Sequence, residues 1–169
     1  MRTMRLALTM SIAVVAAMTL TSRSVLADDK EMLIGTWKLV EAVSEDLSTH
    51  EKTEIYKGGA LGFITYGSDG RMMAIVVNAR RTKPGGNVAT GAEAEALFRT
   101  MASYAGSYTI RGSQITHHVD ASWNEAWTGT DQVRNYKFDR DRLHLATAPS
   151  PNPFTGKMSV RTLVWEKVK

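Results

Sequence analysis

The sequence predicts an all-β fold, a closed antiparallel eight-stranded barrel carrying one amphipathic helix. Three observations predict it. Runs of β-branched and aromatic residues alternate in polarity with period two along most of the chain. Most of these runs are joined by short turns rich in Gly, Ser and Asp, so sequential runs pair as hairpins. Only one segment places its apolar residues at helical spacing. Closing the sheet removes the edges that an open one would expose. The interior of an eight-stranded barrel holds packed side chains or one small ligand. Two packed sheets, a β-sandwich, are the competing architecture, because counting hairpins does not separate the two.

The chain has 169 residues, and residues 1–27, MRTMRLALTMSIAVVAAMTLTSRSVLA, read as a cleaved signal peptide. Arg2 and Arg5 give a positive start, Leu6 to Leu20 is uncharged and mostly apolar, and VLA precedes Asp28. That apolar run of 15 residues is shorter than the roughly 20 needed to span a bilayer. Cleavage after Ala27 is therefore expected, with no membrane anchor left behind and a periplasmic or secreted mature chain, residues 28–169. The sequence contains no cysteine, which excludes a lipid-anchored lipoprotein, disulfides, and cysteine nucleophiles or metal sites. The signal carries three of the 21 basic residues and none of the 17 acids, so the mature chain has 18 basic against 17 acidic residues. With no basic stripe, no nucleic-acid partner is expected.

Along the mature chain, GTWKLVEAVSE (Gly35 to Glu45) alternates, with Trp37, Leu39 and Val43 on one side and Lys38 on the other. ALGFITY and RMMAIVVN form a hairpin around Gly67 to Gly70, in which Met72 and Met73 take one core and one surface position. TGAEAEALFRTMASY reads as the helix, with Ala94, Leu97, Phe98 and Met101 on one face. Thr90 and Glu93 form a capping box, and Glu95 and Arg99 pair at i, i+4. SYTIRGSQITHHVDAS is a second hairpin turning at Gly112-Ser113, and QVRNYKFDRDRLHLATA is a third, turning around Asp139 to Asp141. Between them, Trp123 and Trp127 flank the turn WNEAWTGT. APSPNPFTGKM carries three of the four prolines and reads as a loop over one end of the domain. SVRTLVWEKVK is the last strand.

LIGTWKLVE, GFITYGSDGRM, ITHHVDASW, the spaced QVR-Y-F-DRL-L-T pattern and the closing TLVWEKV together resemble the bacterial and fungal lipocalin-like domain family. The resemblance runs from about Leu33 to Val168, with the blocks in order. It implies a calycin-like barrel whose first and last strands are adjacent. It also implies that the Gly35-x-Trp37 element packs at the closed end under a cation from the last strand, Arg161 or Lys167. The cysteine pair of many secreted lipocalins is missing, which makes animal-type transport roles a poor analogy.

Chemistry-bearing residues concentrate in ITHHVDASWNEAW, Ile115 to Trp127. Adjacent strand residues face opposite ways. His117 therefore goes with Ile115, Val119 and Ala121, and His118 with Thr116, Asp120 and Ser122. Periodicity leaves open which histidine faces the lumen, but the two cannot ligate one metal together, and no other histidine spacing makes a metal site. On QVRNYKF, Gln132, Arg134, Tyr136 and Phe138 share a face that reads as luminal. A buried Arg134 needs a partner: a carboxylate such as Asp120 or Glu125, a carbonyl, or an anionic ligand group. Tyr66, Tyr108 and Tyr136 offer hydroxyls to a pocket or simply pack, and Trp123 and Trp127 line a mouth or plug a floor. No nucleophile elbow, phosphate loop or cofactor motif appears. The candidate ligand-binding set is His117, His118, Arg134, Tyr136, Tyr66, Tyr108, Trp123 and Trp127. Two functions fit: a binding protein for a small apolar or amphipathic molecule, or an isomerase or cyclase that uses a luminal histidine as general acid or base.

Overall fold

A computed structural model describes residues 29–152 and 156–169; the expected signal peptide lies outside them, as do residues 28 and 153–155. The chain divides into residues 1–33 and residues 34–169. In the first unit residues 29–33 are helical. The second is the barrel.

Its elements are β1 (Gly35–Asp46), β2 (Lys52–Glu54), β3 (Ala60–Tyr66), β4 (Arg71–Asn78), α1 (Gly91–Arg99), β5 (Met101–Arg111), β6 (Gln114–Ser122), β7 (Asp131–Asp139), β8 (Arg142–Ala146), β9 (Ser150–Pro151) and β10 (Met158–Lys167). Eight antiparallel strands follow the order β1-β3-β4-β5-β6-β7-β8-β10, and β10 closes on β1 from Trp37↔Lys167 to Asp46↔Ser159. That closure excludes the sandwich. The short β2 and β9 pair with β1 and β10 respectively.

The antiparallel register puts all three tight turns (β3–β4, β5–β6 and β7–β8) at one end, together with Gly35 and Lys167. The long connections gather at the other end. Large inward side chains fill the tight-turn half: Trp37, Tyr66, Met72, Tyr108, Ile115 and Leu143 are all buried. Each such side chain contributes ~1.5–3 kcal/mol to folding. Alternation is strict here, with Met72 buried and Met73 exposed. Lys167 Nζ lies 5.1 Å from the Trp37 ring centre, so of the two candidate cations Lys167 covers the indole. Gly35 makes room for it: φ is +127°, and a Cβ there would sit 3.2 Å from Lys167 Cε.

Two bulges reset the inward phase. In β1 the pairing with β10 skips Val40, so Trp37 and Leu39 point in before it, whereas Ala42 and Ser44 are the covered positions after it. Val43, expected on the Trp37 face, is therefore outside. In β6 the pairing skips Asp120. Ala121, expected beside His117 and Val119, is consequently exposed. Gly106 permits this irregularity, since a Cβ there would collide with the His118 carbonyl.

The helix is shorter than its pattern. Thr90 and Glu93 form the capping box, and Arg99 Nε donates to Glu95 Oε1 at 2.8 Å. The element ends at Arg99, and Met101 to Tyr104 join β5 in register with β4. Ladder pairing overrides the local helical spacing there. None of its residues is buried, and Phe98 remains 48% exposed. Among the described residues no helix is long and apolar enough to cross a membrane.

Candidate ligand-binding cavity

In the half of the barrel with long connections, small side chains replace large ones. Ala42, Ala74 and Ala102 occupy inward positions on β1, β4 and β5, and a cavity of about 360 Å³ opens among them. Its apolar walls include Ile64, Val76, Leu145 and Leu163. The connections complete it with Tyr56, Trp123, Trp127 and Thr147. Arg99, on the exposed helix, also lines it, so the cavity reaches the surface at this end. Its volume lies toward the lower end of the ~300–1,000 Å³ typical of small-molecule sites.

The mouth is aromatic. Asn124 caps a short 3-10 turn, Glu125–Trp127, through its side-chain oxygen and the Ala126 amide. That turn holds Trp127 edge-on to Trp123, with ring centres 4.9 Å apart. Trp123 Nε1 donates to the Phe98 carbonyl at 3.2 Å, tying the turn to α1. Tyr104 packs edge-on against Trp127 from the inside, at 5.6 Å.

Below the cavity lies a buried polar string. Tyr104 hydroxyl meets His117 Nδ1 at 2.9 Å, and Tyr66 hydroxyl meets Nε2 at 2.8 Å. His117 is fully buried. Burial first, then the charges of Arg134 and His118, press its pKa down to about 3. The ring is therefore neutral at ordinary pH, with one nitrogen donating to a tyrosine and the other accepting. Burial likewise raises both tyrosines above their ordinary value, so they stay protonated. Tyr104 and Arg134 both line the cavity, which joins the string to its wall, and the Arg134 charge works against the upward pull of burial on the Tyr104 hydroxyl.

The candidate residues thus separate by place. Arg134, Trp123 and Trp127 line the cavity. His117 and Tyr66 are one and two hydrogen bonds behind Tyr104. Tyr108 belongs to the packed half, its hydroxyl donating to the Gly67 carbonyl at 2.9 Å. Tyr136 is buried there too, against Phe138. His118 is outside, with Nδ1 2.7 Å from Asp131 Oδ1 and Nε2 3.0 Å from Thr109 Oγ1. The outward turn of β6 at this residue keeps it from the lumen.

The acids expected to partner Arg134 are elsewhere. Asp120 pairs with Arg71 on the surface, and Glu125 accepts from Thr128 Oγ1 at 3.1 Å. Sequence reasoning missed Tyr104, hidden inside the helix-like run, and placed Arg161 only as a cover for Trp37. Arg161 lines the cavity instead, together with Trp165. The signal was present: Ser159, Arg161, Leu163 and Trp165 alternate on one face of the last strand. Among the described residues no cluster of three or more His, Asp or Glu is placed to hold a metal ion.

A closed barrel with adjacent first and last strands, packed at one end and hollow at the other, is the architecture of a binding protein in general. The chain belongs to the lipocalin-like domain family, whose model matches residues 34–168. Among solved structures it is similar to a lipocalin-like protein from Bacteroides uniformis, at 14% identity and a TM-score of 0.43, over 81% of this chain and 99% of that one. An uncharacterized protein from Bacteroides eggerthii also matches, at 14% identity and a TM-score of 0.37, over 80% and 99% of the two chains. No curated protein matches.

Proposed function

We propose that this chain is an exported binding protein that holds one small apolar or amphipathic molecule in the barrel lumen. The observation that carries the reading is the cavity of about 360 Å³, walled by alanines and branched aliphatics and rimmed by Trp123 and Trp127. A barrel needing only stability would fill that space, because an empty cavity forfeits packing and transfer energy alike. Export rests on the sequence of residues 1–27. The partner in this reading is a small molecule, neither nucleic acid nor membrane.

The geometry favours binding over proton-transfer catalysis. His117 is not among the cavity-lining residues, and both its nitrogens are occupied by tyrosine hydroxyls. A general acid or base must reach the substrate directly or through one water.

Native mass spectrometry of protein purified from its source cells tests the proposal, with Ala74→Phe and Ala42→Leu as filled-lumen controls. The wild-type chain should carry a small molecule that both variants lack while keeping their fold. A wild-type chain that carries nothing, and whose tryptophan emission no apolar or amphipathic compound changes, refutes it.

A further inference from the structure

The cavity wall bears positive charge that nothing on the wall answers. Resting on the reading of the lumen as a binding site, we propose that its ligand is an amphipathic acid. Its apolar body lies between the aliphatic wall and the tryptophan mouth, and its carboxylate lies between Arg134 and Arg161.

The placement of the two arginines carries the argument. β7, β8 and β10 are consecutive in the barrel. Asn135 and Thr162 both pair with Ala146 of β8, so Arg134, Thr147 and Arg161 occupy one row across the three strands. All three line the cavity. Two strand spacings put the arginine backbones about 10 Å apart. Stems of that length are long enough to bring both guanidinium groups to a single oxyanion placed between them, once Arg134 gives up its bonds to its own strand.

Neither arginine has an acid. Arg134 donates from Nη1 to the Val133 carbonyl at 2.8 Å and from Nη2 to Gln132 Oε1 at 3.4 Å, both neutral. Arg161 donates from Nη2 to Ser150 Oγ at 3.3 Å. Among the described residues no Asp or Glu lines the cavity, and the third lining arginine, Arg99, is already paired with Glu95. Two further donors wait nearby: Arg161 Nε and Trp165 Nε1 are buried and have no acceptor. Burial, and then the charge of Arg134, press the Arg161 pKa below its ordinary value, consistent with two uncompensated cations facing one space.

Holding like charges in a mostly apolar cavity is unfavourable, and an unanswered N–H adds to the cost. A ligand carboxylate removes both penalties at once. Its two oxygens match the planar fork of a guanidinium, and Tyr104, which lines the same cavity, offers its hydroxyl to the head group.

Matched pairs test the proposal. Decanoic and naphthoic acids, with decanol and naphthalenemethanol, are titrated at neutral pH and low salt into wild type, Arg134→Met and Arg161→Met. Binding is read from tryptophan emission and by calorimetry. Wild type should bind the acids at least tenfold more tightly than the alcohols. Each substitution should cost the acids about tenfold to a hundredfold and leave the alcohols unchanged or tighter. Arg134→Lys and Arg161→Lys keep the charge and should recover part of the loss. Equal affinity for acid and alcohol, or equal losses for both in folded variants, overturns the anionic head while leaving the lumen reading standing. Failure of wild type to bind any of the four overturns both.

Discussion

Acid should unfold this protein through His117 before its carboxylates act. The ring is neutral in the folded state down to a pKa of about 3, whereas in the unfolded chain it takes a proton near 6.5. Between those values only the unfolded state binds the proton, so stability falls as pH falls. It is flat above about pH 6.5, declines by about 1.4 kcal/mol per pH unit, and levels off below about pH 3. By about pH 4.5 the loss is about 3 kcal/mol, a large share of the ~5–15 kcal/mol that holds a typical domain. The carboxylates act lower. Hydrogen bonds from His50, Ser48 and Thr90 respectively hold Glu45, Asp46 and Glu93 below their ordinary values. Their contribution is present above the unfolded carboxylate range and is lost only as pH falls through the folded values. The window from about pH 6.5 to about pH 5 therefore isolates histidine. His144 also titrates low, chiefly through burial, and it serves as a constant background. His117→Gln keeps a donor and an acceptor for the two tyrosine hydroxyls and removes the titrating group. Urea unfolding of both proteins at intervals across this window is the assay. Wild type should lose about 2 kcal/mol more than the variant between the two ends. Parallel pH profiles for the two proteins would refute the account of His117 as a neutral buried ring.

Other perturbations follow from the same geometry. Lys167→Met should cost about 0.5–1 kcal/mol in urea unfolding by uncovering the Trp37 face, with no effect on ligand uptake at the far end. Gly106→Ala forces a Cβ into the His118 carbonyl and should cost more than ~2 kcal/mol, seen as a lowered Tm or failure to accumulate folded protein. Arg161→Met should raise the Tm of ligand-free protein, because it removes a half-buried charge that no acid answers; a lowered Tm would mean that Arg161 is structural. Mass spectrometry of protein recovered from the periplasm or medium should give an N-terminus at Asp28; an intact N-terminus would refute signal cleavage.

The barrel was legible because its evidence is local and repeated. Each hairpin announced itself through alternation and a short polar turn, glycine-containing in two of the three, and the Gly35-x-Trp37 element fixed the closed end. What sequence could not show were the places where register changes. The bulge at Val40 exchanges Val43 for Ala42 on the inner face, and alternation has no means of registering an inserted residue. The bulge at Asp120 does the same to Ala121. Tyr104 was lost for a different reason: its segment has helical spacing as far as Met101, and only pairing with β4 makes it a strand. Arg134 was readable as luminal from QVRNYKF, but its counterpart Arg161 lies two strands away in the barrel and 27 positions away in the chain, and only the pairing of β8 with both β7 and β10 brings them to one row. The two histidines illustrate the limit. Strand geometry separated them, and burial then assigned His117 to the interior and His118 to the surface.

A crystal structure of the protein with naphthoic acid tests the central claim most directly. The account predicts the ring system inside the cavity, against Leu145 and Leu163 and below Trp123 and Trp127, with its carboxylate within hydrogen-bond distance of Arg134 and Arg161. A saturated complex whose ligand sits on the outer face of the barrel, with the cavity collapsed or filled by side chains, contradicts it.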